Sequence, residues 1–199
     1  MKYYTGVGGR KTPPAIQDLM TRIAAKLESV GYILRSGAAE GADQAFERGV
    51  TDAANKQIFI AWNGFCGRQM GQDGVVPLID CCERRAFQIA SEIHPAWGRL
   101  TRGAAALHAR NTYQVLGARL DTPSKFLICW APVDKHGVPK GGTRTAWVLA
   151  HEPQGLSGSR DLDAGECSGL QAAIWPPAVP QDLSLETRAR HLGTEAGDR

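Results

Sequence analysis

The sequence predicts an α/β fold, a mostly parallel sheet with helices on both faces, and three observations predict it. Short aromatic and β-branched runs alternate with segments of helical period over residues 2–151. Three of the strand-like runs end in Gly-rich turns that open a helix. A chain of 199 residues with 43% hydrophobic content can bury one sizeable core, so a single domain suffices.

The elements follow in order. Lys2-Tyr3-Tyr4-Thr5-Gly6-Val7 is a buried first strand that breaks at Gly8-Gly9. Thr12 before Pro13 and Pro14 reads as an N-cap with proline in the first helical turn. Ile16, Leu19, Met20, Ile23, Ala24 and Leu27 then keep helical spacing until Gly31. Tyr32-Ile33-Leu34 is the second strand, Ser36–Asp43 a loop of small residues, and 45–54 the second helix. Gln57–Trp62 is the third strand. The stretch 63–77 is Gly-rich and irregular, and a loop that long is functional or disordered. Helices are expected at 82–93 and 100–120, the second stopped before Pro123. Ser124–Trp130 is the fourth strand, and Gly141-Gly142-Thr143 opens a helix to about His151. This strand and helix alternation is Rossmann-like. After Glu152 the composition turns polar and rich in Pro, Gly and Ser, so the chain divides into a domain over 1–152 and a poorly ordered tail over 153–199.

Charge and cysteine usage narrow the classes. Lys and Arg total 23 against 20 Asp and Glu, a net +3, which permits nucleic acid without the charge density of a DNA-coating protein. The five cysteines include no C-x-x-C pair and no histidine at ligand spacing, so they read as reduced thiols and no metal is expected. No stretch approaches the length of a membrane helix and no export signal is seen, which makes the expected location the cytoplasm.

Candidate chemistry gathers at the loops Gly6–Arg10, Ser36–Asp43 and Gly141–Thr143. Gly8 and Gly9 leave backbone N–H groups open to a phosphate, with Arg10 and Lys11 supplying charge. Ser36, Gly37, Ala38 and Gly41 offer similar geometry after the second strand, as do Gly141, Gly142 and Thr143, with Arg144 adjacent, after the fourth. Any one such loop is as readily a tight turn; three at equivalent junctions point to an anion. No G-x-x-x-x-G-K-[ST] loop is present and Gly6-x-Gly8 lacks the third glycine of a dinucleotide fingerprint, so neither ATPase nor ordinary NAD chemistry is indicated.

Asp43 lies in a first helical turn, where it serves the helix dipole or touches ligand. Glu40 lies in the loop itself, placed to contact a ribose hydroxyl or act as a base. On the helix 100–120, His108, Asn111 and Gln114 fall within about 120° of arc at 100° per residue, close to Arg110. Polar groups on that apolar sector line a cleft or pair within the core. Trp62 is an aromatic placed to stack on a base or pack in the core, as are Phe65, Trp97 and Trp130.

Taken together, Tyr4–Pro13, Leu34–Phe46 and Gly141-Gly142-Thr143 resemble the DprA/Smf and Lonely guy (LOG) superfamily of Rossmann-like proteins. The likeness is nearest to small DprA-like proteins of the kind found in bacteriophage genomes; His94-Pro95, Leu107–Asn111, Gln114–Gly117 and Pro123–Phe126 fit that subgroup. The resemblance implies that the glycine loops hold a nucleotide-type ligand or single-stranded DNA, with no cofactor required. DprA members bind single-stranded DNA and load a recombinase, and dimers are common among the relatives. LOG members hydrolyse nucleoside 5′-monophosphates, and other relatives sense ADP-ribose-type signals. LOG proteins carry a catalytic Glu just after their Gly-Gly-x-Gly-Thr turn, whereas here Arg144, Thr145, Ala146 and Trp147 follow. That departure favours binding over hydrolysis, with Glu40 and Asp43 the carboxylates left to substitute. Relatives also continue into a further apolar strand where this chain turns polar at His151-Glu152-Pro153, so the sheet is expected to lack its last strand.

Overall fold

The computed structural model describes residues 1–78, 80–151 and 171–174. Strands β1 (Lys2–Gly8), β2 (Tyr32–Ser36), β3 (Lys56–Ile58) and β4 (Phe126–Trp130) form a parallel sheet with helices on both faces, as the sequence predicts. Helices α1 (Pro14–Ser29) and α2 (Ala42–Arg48) connect the first three strands. Helices α3 (Asp80–Ile93) and α4 (Arg102–Leu116) carry the chain to β4, and α5 (Thr143–His151) follows it. A fifth strand, β5 (Gln171–Ile174), pairs parallel with β4, Phe126 opposite Gln171, giving the order β3-β2-β1-β4-β5. The expectation that the sheet lacks its last strand is therefore corrected: the apolar pair Ala172-Ala173 within the polar tail supplies it. The disorder expected of the rest of 153–199 lies outside the described residues.

Alternation along the strands divides the core. Tyr4, Leu34 and Ile58 face α1 and α2, where they meet Met20, Ala24 and Phe46. Val7, Leu127 and Cys129 face the other way, against Ile89 of α3, Tyr113 of α4 and Leu149 of α5. Aromatic contacts key both layers: Tyr4 stacks on Phe126 at 5.8 Å, and Phe59 stacks on Tyr113 at 5.9 Å. A fully buried side chain such as Phe59 contributes roughly 1.5–3 kcal/mol by leaving water.

The elements depart from expectation where a tertiary contact overrides local pattern. Thr12 is not the N-cap of α1. Its hydroxyl donates to the Gly9 carbonyl at 2.6 Å, Pro13 takes the cap position and Pro14 the first helical one, where its missing N–H costs nothing. The second helix begins at Ala42 and stops at Gly49 rather than running over 45–54, and Asp52 instead caps a 3₁₀ turn through Ala54 N–H at 2.8 Å. The third strand ends at Ile58, because Ile58 turns its backbone to the returning loop: it donates to Gly74 O and accepts from Val76 N–H. α4 ends at Leu116, where Gly117 turns at φ +79° beside the buried Arg35 guanidinium.

The irregular stretch after β3 is folded. Buried Glu47 and Lys56 (3.3 Å) and the half-exposed Arg68 and Asp73 close a ring of ion pairs: Lys56 meets Asp73 at 2.9 Å, Asp73 meets Arg68 at 2.7 Å, and Arg68 meets Glu47. The ring fastens the loop to α2 and β3 and seats Phe65 in the core. Among the described residues, no helix is long and apolar enough to cross a membrane.

Candidate functional site

The winding of the sheet reverses beside β1. The chain steps from β1 to β2 to β3 with α1 and α2 on one face, then returns to the other side of β1 with α3 and α4 on the opposite face. Loops leaving β1 and β4 at such a switch point part in opposite directions and open a crevice at the carboxyl ends of the strands. A cleft of about 310 Å³ lies there, lined by the β1–α1 loop, the β2–α2 loop, one face of α4 and the turn before α5.

Close packing draws the loops together. A Cβ at Gly8 would stand 2.3 Å from Trp130 O and 2.6 Å from the Ala42 side chain, so only glycine lets β1, β4 and α2 approach. Gly9 N–H donates to Trp130 O at 2.8 Å. Ser36 Oγ donates to Gly6 O at 2.7 Å, tying β2 to β1 beneath the cleft. Ala38 adopts φ +61°, a conformation rare for a residue with a side chain, at the bend that brings Ala39 and Asp43 to the lining.

The floor is polar and buried. Arg110 Nη1 donates to Asp43 Oδ2 at 3.2 Å, and both side chains are 5% exposed. The Gln114 amide is assigned with its oxygen accepting from Arg110 Nη1 (2.8 Å) and Gly37 N–H (2.9 Å) and its nitrogen donating to Asn111 Oδ1 (3.0 Å), because the reverse pairs donors with donors. Burial pushes the Asp43 carboxyl up, while Arg110 and the backbone N–H groups of Ala39 and Gly8 pull it down; burial prevails. Burial likewise lowers the Arg110 guanidinium against the pull of Asp43, though an arginine stays charged at neutral pH. Nε of Arg110 is buried and makes no hydrogen bond among the described residues.

The wall is built from α4 and the turn before α5. Asn111 Nδ2 donates to Gly142 O at 2.7 Å, and His108 Nδ1 shares a hydrogen bond with Thr145 Oγ1 at 2.7 Å. His108 is lowered to about 4, first by burial and then by His94, whose ring lies 4.5 Å away, and by Arg110. It is a neutral imidazole at neutral pH. Gly141 turns at φ +68°, and Arg144 N–H and Thr145 N–H donate back to Gly141 O and Gly142 O as α5 begins.

Gly8, Gly9, Arg10, Asp43, His108, Arg110, Asn111, Gly141, Gly142 and Thr143 all line the cleft. Ser36, Gly37, Ala38 and Gly41 stand behind that lining and set its shape, Gly37 by leaving room for the Arg110 guanidinium. Lys11 is exposed beside Arg10. Arg144 points to Asp134 at 3.9 Å, outside the lining. Glu40 is exposed and outside it as well, and Asp43 is the carboxylate that lines the cleft. Trp62 is 45% exposed and packs edge-on against Phe65 at 5.1 Å, away from the lining. Phe65 instead supports the floor from behind, its ring centre 5.7 Å from the Arg110 guanidinium carbon.

Sequence reasoning missed Lys140 and the apolar wall of Ala104, Leu107, Pro132 and Ala146. A cation directly before a Gly-Gly turn was the available signal for Lys140, the counterpart of Arg10 after Gly8-Gly9. With His108 neutral, the cleft sets Arg10, Arg110 and Lys140 against the single carboxylate of Asp43. Among the described residues no three His, Cys, Asp or Glu gather to hold a metal ion.

The chain matches no family model, and the comparisons with curated proteins and with solved structures found no match.

Proposed function

We propose that the protein is a DprA-like binding protein that holds a nucleotide-type ligand or single-stranded DNA in the cleft between β1 and β4. The observation that carries this reading is the buried Arg110, held on the floor of a cleft at the switch point, with Arg10 and Lys140 at the sides. Such a site offers anion contacts through side-chain charge and through the N–H groups of the Gly141-Gly142-Thr143 turn that opens α5. The apolar wall of Ala104, Leu107 and Ala146 suits the uncharged part of a nucleotide. The motif resemblance to DprA and LOG proteins points the same way.

Binding is favoured over hydrolysis by the state of Asp43. Its carboxylate is engaged by Arg110 and by the Ala39 and Gly8 N–H groups, an arrangement that fixes loops rather than one that moves protons. Calorimetric titration of the full chain with nucleoside monophosphates, ADP-ribose and a single-stranded oligonucleotide at low salt tests the reading. Saturable binding of at least one that weakens in Arg110→Gln supports it. Heat signals absent for all of them overturn it, and release of free base from a monophosphate would replace it with the hydrolase reading.

A further inference from the structure

The hydrogen bond between His108 and Thr145 fixes where the imidazole carries its proton. Thr145 is 1% exposed, and His108 Nδ1, at 2.7 Å, is the acceptor its hydroxyl meets among the described residues. A proton on Nδ1 would donate to that hydroxyl and leave the hydroxyl's own hydrogen buried with nothing to accept it, which buried polar groups avoid. Thr145 therefore donates to Nδ1, and the ring proton is assigned to Nε2.

Nothing around the ring accepts that Nε2–H. His94 packs edge to face against it with ring centres 4.5 Å apart, but His94 Nδ1 already accepts from Ala96 N–H at 3.2 Å, which puts its own proton on Nε2. Arg110 has donors only. Asp43 is engaged by Arg110 and by the Ala39 and Gly8 N–H groups. His108 Nε2 makes no hydrogen bond among the described residues and, unlike Arg110 Nε, it is not sealed from water. The cleft lining thus holds a donor whose acceptor has to come from outside the protein.

The surroundings say what kind of acceptor fits. Leu107 directly precedes His108, Ala146 directly follows Thr145, and both line the cleft together with Ala104, one helical turn earlier on α4. The imidazole is uncharged at neutral pH, so it adds nothing to the attraction that Arg10, Arg110 and Lys140 exert on an anion. An uncharged N–H set in an apolar wall suits a ring nitrogen or a carbonyl oxygen, the acceptors on the edge of a nucleobase.

We infer that His108 is the residue by which the cleft selects a nucleobase, its Nε2–H donating to a ring nitrogen or carbonyl oxygen of a base seated on the apolar wall. This rests on the nucleotide-binding reading of the same cleft. The experiment measures equilibrium binding of the full chain to AMP, GMP, CMP, UMP and ribose 5-phosphate. At least one monophosphate is expected to bind about tenfold tighter than ribose 5-phosphate, which carries no base. His108→Phe, which keeps a ring and removes both nitrogens, should cancel that preference and leave ribose 5-phosphate within about twofold of the parent. His108→Gln, whose amide nitrogen takes the place of Nε2, should restore most of it. In the parent, ¹⁵N NMR should find the proton on Nε2, with its resonance moving when the preferred monophosphate is added.

A proton on Nδ1 overturns the inference. So does equal affinity for all five probes, or a loss in His108→Phe that is as large for ribose 5-phosphate as for the monophosphates; each leaves binding in the cleft in place. If the ring variant does not fold, Thr145→Val carries the test. A second tautomer in its spectrum with a smaller preference for the base supports the inference, and an unchanged spectrum and preference overturn it. A parent that binds none of the probes removes the nucleotide reading as well.

Discussion

Arg110 and Asp43 lie 67 positions apart in the chain and meet at 3.2 Å in the floor of the cleft, each almost wholly buried. A buried pair of this kind contributes less to stability than the cost of breaking it, because removing one partner strands the other charge out of water. Asp43→Ala is expected to lower the unfolding free energy by about 3–5 kcal/mol. The double variant Asp43→Leu with Arg110→Met should lose less than the sum of the two single losses. Urea denaturation of the four proteins measures the coupling, and additive losses would show that the pair is not one unit.

Gly37 and Gly9 make a matched test of space. A Cβ at Gly37 would lie 1.1 Å from Arg110 Nη1, whereas one at Gly9 meets nothing closer than 3.7 Å. Gly37→Ala should therefore displace the guanidinium, cost about 1–3 kcal/mol of stability and abolish nucleotide binding. Gly9→Ala should fold as the parent does. Similar melting temperatures and affinities for the two variants would contradict the packing described.

His108 ties stability to acid. Its folded value, about 4, lies below the ordinary histidine value, so between the two the unfolded chain binds more protons. Stability from this group is full above about pH 6.5 and falls as the pH drops towards 4. The ring is only partly buried, so the loss is on the order of 1 kcal/mol after allowance for solvent screening. Denaturation midpoints at pH 7 and 4.5 for the parent and His108→Asn check this, with a smaller difference expected in the variant. An imidazole NMR titration with its midpoint near 6.5 would sink the assignment.

The ring of Glu47, Lys56, Asp73 and Arg68 predicts where the long loop gives way. Glu47 accepts from both cations, so Glu47→Gln leaves buried Lys56 with Asp73 alone. A loss of about 3 kcal/mol is expected, at the lower end of the range for broken buried pairs because Asp73 still faces Lys56. Amide exchange should accelerate over 63–77 before it does in β1 or β4. Uniform acceleration over the whole sheet would show that the loop is not separately fastened.

Arg10, in the loop after β1, and Lys140, in the segment before α5, both line the cleft, so under the proposed function they should contribute comparably. Arg10→Ala and Lys140→Ala are each expected to weaken nucleotide affinity about tenfold or more, the worth of one charge-assisted hydrogen bond at roughly 1.5–3 kcal/mol. Calorimetry of each variant decides it, and an unchanged affinity in both would move the anion elsewhere.

Much of this was legible in sequence because strand ends and glycine turns are local signals. The Tyr3-Tyr4 and Leu127–Cys129 runs declare buried parallel strands, and Gly8-Gly9 and Gly141-Gly142 declare the turns above them. What was hidden is pairing across the fold. Glu40, in the loop, reads from sequence as the better placed carboxylate, yet it is exposed outside the cleft lining while Asp43 is the partner of Arg110. Trp62 and Phe65 look equally able to stack on a base, and only the folding of their loop sends Phe65 beneath the Arg110 guanidinium and leaves Trp62 outside. The early end of α4 is of the same sort, since it answers to Arg35 on a distant strand.

The register between β1 and β4 sets a schedule for the newly made chain. Gly8 leaves the ribosome well before its partner Trp130, which emerges only after three strands and four helices have been made. Until then the first glycine turn has no facing wall, and the half-sheet of β1, β2 and β3 presents an open flank where β4 will dock. Translation must therefore pass Trp130 before the cleft has both its walls, and a message truncated short of that codon yields a protein with a sticky edge and no cleft.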